Sequence, residues 1–342
     1  MISKTYLCAI APAALIGAAL LTAPASPGLA QAVDMKIGMV TMNEPQHEMG
    51  KKFAEEVEKA SQGRIKGRLF PAAQLGGIPR QIEGVQLGTQ EVMNVPPGFM
   101  VGINAAFSAP DAPGLFDNPA HAARALSHPD FRERYVKLAE AKGIAIAALW
   151  VYDTTWIASS QPIRRLDDIK GKKLRVLATK VESEYMRVLG GTGVPMDYAE
   201  VATALQNRVI DGVRTSIVVL NGSKMYSVAK FITYDGTGVI PSVVMVSKSW
   251  LDKLPAELQK AVMDTGRALE PWANQMALDF AKSAEKVWTD NGGEVIRLPA
   301  AEHKALVDRV APLGDQNLAT DDRIKDMYNL IKSTAAKTRQ AS

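Results

Sequence analysis

The chain has 342 residues, with 40 Lys and Arg against 36 Asp and Glu, and 47% of it is hydrophobic. A net charge of +4, dispersed in doublets such as Lys51-Lys52, Arg164-Arg165 and Lys172-Lys173, is too mild and too scattered for nucleic-acid binding. The single cysteine, Cys8, excludes an internal disulfide, and an apolar fraction of this size with no low-complexity run or internal repeat suffices for a real core.

The first element in chain order is a secretion signal. Lys4 is followed by an apolar run over residues 9–23, broken only by Pro12, Gly17 and Thr22. Pro24, Pro27 and Gly28 end it, and Ala30-Gln31-Ala32 supplies small residues where a signal peptidase reads. Cleavage is expected after Ala32, with release into the periplasm. A membrane anchor would need about 20 apolar residues without such breaks. Cys8 lies far upstream of the cleavage point and is badly placed for a lipid-modified N-terminus. The mature chain keeps 310 residues and a net charge of +3.

Strand and helix signals then alternate. Residues 35–40 form a short apolar strand, and residues 45–61 a helix with Met49, Phe53 and Val57 on one face, stopped by Gly63. A strand over 64–70, a helix over 79–87 ended by Gly88 and a strand over 91–95 follow, before Pro96-Pro97-Gly98 turns the chain. A helix is predicted over 129–142 and a strand over 144–150. The second half repeats this grammar with strands at 173–176, 194–196, 213–218, 231–234 and 243–247, and helices at 181–189 and 199–208. From 255 to 291 apolar residues recur at the helical period, with Pro271 expected to kink the helix or divide it in two. A strand over 294–298 and two terminal helices close the chain. Short Gly and Pro punctuation between alternating elements predicts an α/β fold with largely parallel sheets.

Nothing in the sequence assembles a catalytic or metal centre. The four histidines, His47, His121, His128 and His303, are scattered, and neither H-E-x-x-H nor C-x-x-C occurs. There is no G-x-S-x-G and no Walker loop. Gly190-Gly191-Thr192-Gly193 is followed by Pro195 and Met196 rather than a helix, so it reads as a turn. Asp167-Asp168 point apart and precede a Lys-rich turn, so they read as an exposed cap. No metal, cofactor or catalytic group is expected. What stands out is Lys173-Leu174-Arg175-Val176, a strand ending on an arginine. Its planar guanidinium matches a carboxylate in two-point fashion, which suggests capture of an organic acid rather than its conversion.

Ordered landmarks run through the mature chain: Gln74-Leu75-Gly76-Gly77, Glu83 to Thr89, Asp167 to Val176, Pro195 to Gln206, Val209-Ile210-Asp211-Gly212 and Val246-Ser247-Lys248. Together they resemble the substrate-binding proteins of tripartite ATP-independent periplasmic (TRAP) transporters, of the C4-dicarboxylate-binding, DctP-like type. The resemblance implies a two-lobed α/β periplasmic-binding-protein fold with discontinuous lobes, crossover strands near residues 150 and 240, and a long bridging helix. It places residues 33–152 and 241–280 in lobe I, residues 153–240 and 281–330 in lobe II, and residues 331–342 in a C-terminal tail. It further implies a monomer that takes a small organic acid and delivers it to small and large membrane subunits.

In that family the arginine of the K-[IL]-R-V strand pairs with the ligand carboxylate, which assigns the role to Arg175, with a surface ion pair to Asp168 as the alternative. The aromatic of P-M-x-[FY] is Tyr198, for which a core role is the alternative. Two departures lie where ligand contacts are expected. A further arginine common before the first crossover is replaced by Tyr152-Asp153-Thr154-Thr155-Trp156. The usual D-G-x-E-N reads Asp211-Gly212-Val213-Arg214-Thr215. Arg214 is therefore expected to take over part of the missing arginine's work, the alternative being a pair with an acid such as Asp153. Tyr152, Thr155, Trp156, Tyr198 and Thr215 are expected near the ligand and suit a hydroxylated, sugar-derived or aromatic acid. Two other functions use the same cleft: a ligand sensor presenting its closed form to a receptor, and a periplasmic enzyme, which would need an acid–base pair or nucleophile beside Arg175.

Overall fold

In the computed structural model residues 1, 2, 5 and 32–339 are described. Apart from Met1, Ile2, Thr5 and Ala32, the expected signal lies outside them. In chain order the structure runs β1 (Val33–Gly38), α1 (Pro45–Ala60), β2 (Ile65–Phe70), α2 (Ile78–Leu87) and β3 (Val92–Val95). Next come α3 (Pro119–Ser127), α4 (Pro129–Tyr135), β4 (Ile144–Ser159), β5 (Lys173–Val176), α5 (Lys180–Val188) and β6 (Thr192–Pro195). They are followed by α6 (Val201–Gln206), β7 (Gly212–Thr215), α7 (Ile217–Gly222), β8 (Phe231–Ser247) and α8 (Lys248–Leu251). The long α9 (Ala256–Asp290), β9 (Glu294–Arg297), α10 (Ala300–Val310), α11 (Leu313–Asn317) and α12 (Lys325–Thr338) complete it.

The strands pair in the order β2-β1-β3-β8-β4-β7-β5-β6, with β9 beside β8. The sheet is mixed, not largely parallel: β1–β2, β1–β3, β5–β6, β5–β7 and β8–β9 are parallel, whereas β3–β8, β4–β8 and β4–β7 are antiparallel. Two α/β halves are thus joined by β4 and β8, which run past both. Each of these strands is longer than its local sequence suggests. The residues of β8 between 234 and 243 include Gly236, Gly238 and Pro241, which read as a break, yet β4 pairs with the strand up to Tyr234 and again from Val239, and residues 235–238 bulge out of the ladder between. The ladder shifts register between Ile146 and Ala148, Val151 and Asp153, and Thr154 and Trp156. Such bulges bend and twist a strand, and they fall at the crossing between halves.

Helix α9 has 35 residues, about 52 Å at 1.5 Å per residue. Pro271 lies inside it and does not divide it. The helix seats closely on β4 because Gly266 faces Ala147, where a Cβ would come within 2.6 Å of the Ala147 side chain. Its polar side chains satisfy the irregular strand: Glu270 accepts the Leu149 N–H at 2.9 Å and Asn274 the Val151 N–H at 2.7 Å. Arg132 in turn pairs with Glu270.

Other sequence expectations need correction. The helix predicted over 129–142 ends at Tyr135, and α3 was not anticipated. The apolar run 213–218 splits, because Ser216 caps α7 by accepting the Val218 N–H at 3.1 Å. Three helices follow β9 instead of two. Residues 331–338, expected as tail, form the end of α12, which buries Ile331 and Ala335 and receives His121 Nε2 at the Ala335 carbonyl, 2.8 Å away.

Candidate functional site

Arg175 sits on β5 between β6 and β7, opposite Val194 and Val213. It is 1% exposed. Its Nε donates to the Met196 carbonyl at 3.0 Å. The guanidinium carbon stands 5.7 Å from the Phe99 ring centre and 5.5 Å from that of Tyr198, within cation–π range. No carboxylate lies within ion-pair distance among the described residues, so the alternative pairing with Asp168 is not formed. Asp168 instead accepts the Arg164 and Arg165 N–H groups. Burial pulls the Arg175 pKa down to about 10, partly opposed by Tyr198, Glu182 and Asp197. It stays charged at neutral pH.

Arg175 lines a narrow cleft between the two halves, with a free volume of about 30 Å³. Thr41 and Gln46 reach it from the β1–α1 connection and α1, Phe99 from the turn after β3, Tyr152 from β4, Tyr198 from the segment after β6, and Thr215 from the end of β7. Val40, Ile78, Pro96, Leu177, Val219 and Ile240 supply apolar wall. Behind the wall lies Glu44, wholly buried at the N-cap of α1. Its carboxylate accepts from Thr41 Oγ1 at 2.7 Å, the Tyr152 hydroxyl at 2.6 Å, the Gln46 N–H at 2.9 Å and the His47 N–H at 3.1 Å. Burial raises its pKa, and those four donors oppose the rise.

Four of the seven candidate residues therefore meet at one cleft: Arg175, Tyr198, Thr215 and Tyr152. The other three do not line it. Arg214 is fully buried and its nitrogens are engaged within the protein: Nη1 on Glu182 at 2.5 and 2.6 Å, Nε on Asp235 at 2.7 Å, and Nη2 on Thr155 Oγ1 at 3.0 Å and Thr237 Oγ1 at 3.3 Å. Its guanidinium lies 3.9 Å over the Tyr185 ring. Burial alone would lower its pKa, but Asp235 and Glu182 raise it well above the usual value. The expected substitute for the missing arginine is thus a structural ion cluster, with Glu182 and Asp235 in place of Asp153. Thr155 belongs to that cluster, donating to Asp235 and accepting the Gly238 N–H. Trp156 packs on Tyr234 at 4.8 Å between ring centres, with Arg297 at 5.7 Å.

Sequence reasoning missed Thr41, Gln46 and Phe99. The signal was present for the first two, since ligands in α/β folds gather beyond the carboxyl ends of strands and both follow β1. Phe99 follows β3 through the Pro-Pro-Gly turn.

The family model for bacterial extracellular solute-binding proteins, family 7 (DctP), matches residues 38–321. The 2,3-diketo-L-gulonate-binding periplasmic protein YiaO of Escherichia coli (strain K12) is 27% identical over 299 residues, 87% of each chain. The crystal structure of a TRAP periplasmic solute binding protein from Desulfovibrio salexigens with bound orotic acid superposes with a TM-score of 0.84 at 26% identity, covering 90% of this chain and 99% of that one. The sugar acid binding protein DctPAm from Advenella mimigardefordensis, in complex with galactonate, gives 0.85 at 25% identity over the same shares. The two-lobed α/β fold is common to them and to this chain, with β4 and β8 crossing between lobes. By fold and by sequence this chain belongs to the bacterial extracellular solute-binding proteins of family 7, the DctP family of TRAP transport.

Proposed function

We propose that this protein captures a small organic acid anion in the periplasm, by pairing its carboxylate with Arg175, and delivers it to the small and large TRAP membrane subunits for import. One observation carries the reading. Arg175 is a buried cation whose Nη groups have no hydrogen-bond partner among the described residues, and it faces a cleft. A buried charge without a counter-ion is costly, and a ligand carboxylate supplies both the charge and the two-point geometry. The orotic acid and galactonate of the two solved structures are both carboxylic acids.

Residues 33–152 and 241–280 form one lobe and residues 153–240 and 281–330 the other, and ligand shifts an open–closed equilibrium about the bulged β4–β8 crossing. The working unit is a single copy. The protein binds its ligand without transforming it, Arg175 being the sole charged residue lining the cleft among the described residues. The mature form begins after Ala32. A thermal-shift screen of organic acids on the mature protein tests the proposal. A ligand present at about 100 times its dissociation constant adds roughly 2.7 kcal/mol of stability. A folded protein that no organic acid stabilises would overturn it.

A further inference from the structure

We infer that the ligand is a monocarboxylate with a largely apolar body, an aromatic or branched aliphatic acid, carrying a hydroxyl or N–H that donates to Thr41 or Tyr152. This inference rests on the role of Arg175 proposed above, and it concerns everything in the cleft other than that residue.

A dicarboxylate needs a second cationic or strongly donating end. Arg175 is the one charged residue lining the cleft among the described residues. The other arginine of this region, Arg214, is withheld by Glu182 and Asp235. The hydroxyls of the opposite wall are committed in a particular direction. Thr41 and Tyr152 each have one proton, and each donates it to Glu44. Both therefore present only lone pairs to the cleft. A lone pair accepts from a ligand O–H or N–H and repels a carboxylate. Four donors converge on Glu44, the number that two carboxylate oxygens accept. A second ligand carboxylate at this wall would thus face an acceptor surface backed by a buried acid.

A polyhydroxy sugar acid meets a different obstacle. Each of its hydroxyls must find a partner when water is excluded. The uncommitted polar groups of the wall are few: the Thr215 hydroxyl has no partner among the described residues, and Gln46 spends one N–H on Ser242 at 2.9 Å. Most of the remaining wall is Val40, Ile78, Leu177, Val219 and Ile240, with the Phe99 ring beside the guanidinium. A buried hydroxyl left without a partner weakens binding about ten- to hundredfold. The same wall favours a flat or branched hydrocarbon body, which gains by leaving water.

The test is calorimetric titration of the mature protein with six probes: 4-hydroxyphenylacetate and 2-hydroxy-4-methylpentanoate, succinate and L-malate, gluconate and glucuronate. At least one of the two monocarboxylates with apolar bodies should bind at least tenfold more tightly than any of the other four. Succinate, malate, gluconate or glucuronate binding as tightly or more tightly, with that binding lost in Arg175→Ala, would overturn this inference and leave the organic-acid function standing. Absence of binding by all six, with the fold verified by circular dichroism, would overturn this inference, and the wider screen above then decides the function itself. A second arm uses Glu44→Gln. Removing the negative charge behind the wall should narrow the preference for monocarboxylate over succinate about tenfold. An unchanged ratio in the folded variant would overturn the part assigned to Glu44, and if the variant does not fold the wild-type ratios decide.

Discussion

Asp197 caps a helix that starts 119 residues earlier in the chain: its Oδ2 accepts the N–H of Ile78, the first residue of α2, at 2.7 Å. Helix α2 has no capping side chain of its own, because Gly77 stands at its N-cap position. The approach needs that glycine, since a Cβ there would lie 2.1 Å from the Asp197 carboxylate. Asp197 follows β6 in one half, and α2 belongs to the other. A carboxylate on a helix N-terminus satisfies an orphan donor and the positive end of the helix dipole. The contact links the two lip segments of the cleft.

If this cap helps to hold the lobes shut, Asp197→Ala should weaken ligand binding while leaving the fold intact. Helix N-caps contribute about 0.5–2 kcal/mol, which corresponds to roughly 2- to 30-fold in affinity. Small-angle scattering at limiting ligand should show a larger radius of gyration in the variant than in the wild type. Equal affinity and equal scattering would reduce the contact to a feature of one closed arrangement.

Arg175→Met should abolish binding at little cost to folding. Breaking one side of a desolvated charge pair typically costs about 2–5 kcal/mol of affinity. In the ligand-free protein, though, the buried cation has no counter-ion, so its removal should leave the melting temperature unchanged or raise it. Arg175→Lys should bind poorly too, because an ammonium cannot reproduce the fork. Wild-type affinity in either variant, measured by calorimetry, would remove Arg175 from the site.

Arg214→Met should behave in the opposite way. It strands Glu182 and Asp235 in the interior, and breaking a buried pair of this kind costs about 3–5 kcal/mol. The loss should appear as a lower urea midpoint before any effect on binding. A stable Arg214→Met protein that has lost only its affinity would restore Arg214 to the binding role expected from its position in the sequence.

Asp153 predicts a pH dependence. It is buried at the β4 bulge, where it accepts the Ser216 hydroxyl at 2.6 Å and the Thr154 N–H at 2.7 Å. Burial nevertheless raises its pKa from 3.8 to about 6. The folded chain then holds this proton to a higher pH than the unfolded chain does. Its contribution to stability is therefore present below about pH 4 and is lost as pH rises to about 6, a change on the order of 3 kcal/mol. Urea unfolding of Asp153→Asn between pH 4 and 7 should lack that part of the slope shown by the wild type. Identical slopes would mean that Asp153 titrates alike in both states.

What the sequence determined by itself was local or cumulative. Alternating apolar runs with Gly and Pro breaks led to the α/β class, because periodicity and backbone restriction act over a few residues. Lys173 to Val176 read as a strand carrying an arginine, and it is one. The length of α9 was legible from apolar spacing, although Pro271 suggested a division that packing on β4 overrides. The ends of β4 and β8 were not legible, because β8 resumes beyond its glycines only where β4 pairs with it again from Val239, a partnership that no local pattern encodes.

The tertiary structure decided which arginine is free. Arg175 and Arg214 lie on adjacent strands, both buried, and both looked suited to a ligand. They differ in what the fold brings beside them. Glu182 from α5 and Asp235 from β8, 32 and 21 residues away, converge on Arg214, whereas Arg175 meets two aromatic rings and a carbonyl. A charge is committed or available according to neighbours within a few ångströms, and those neighbours come from segments whose meeting no local pattern encodes.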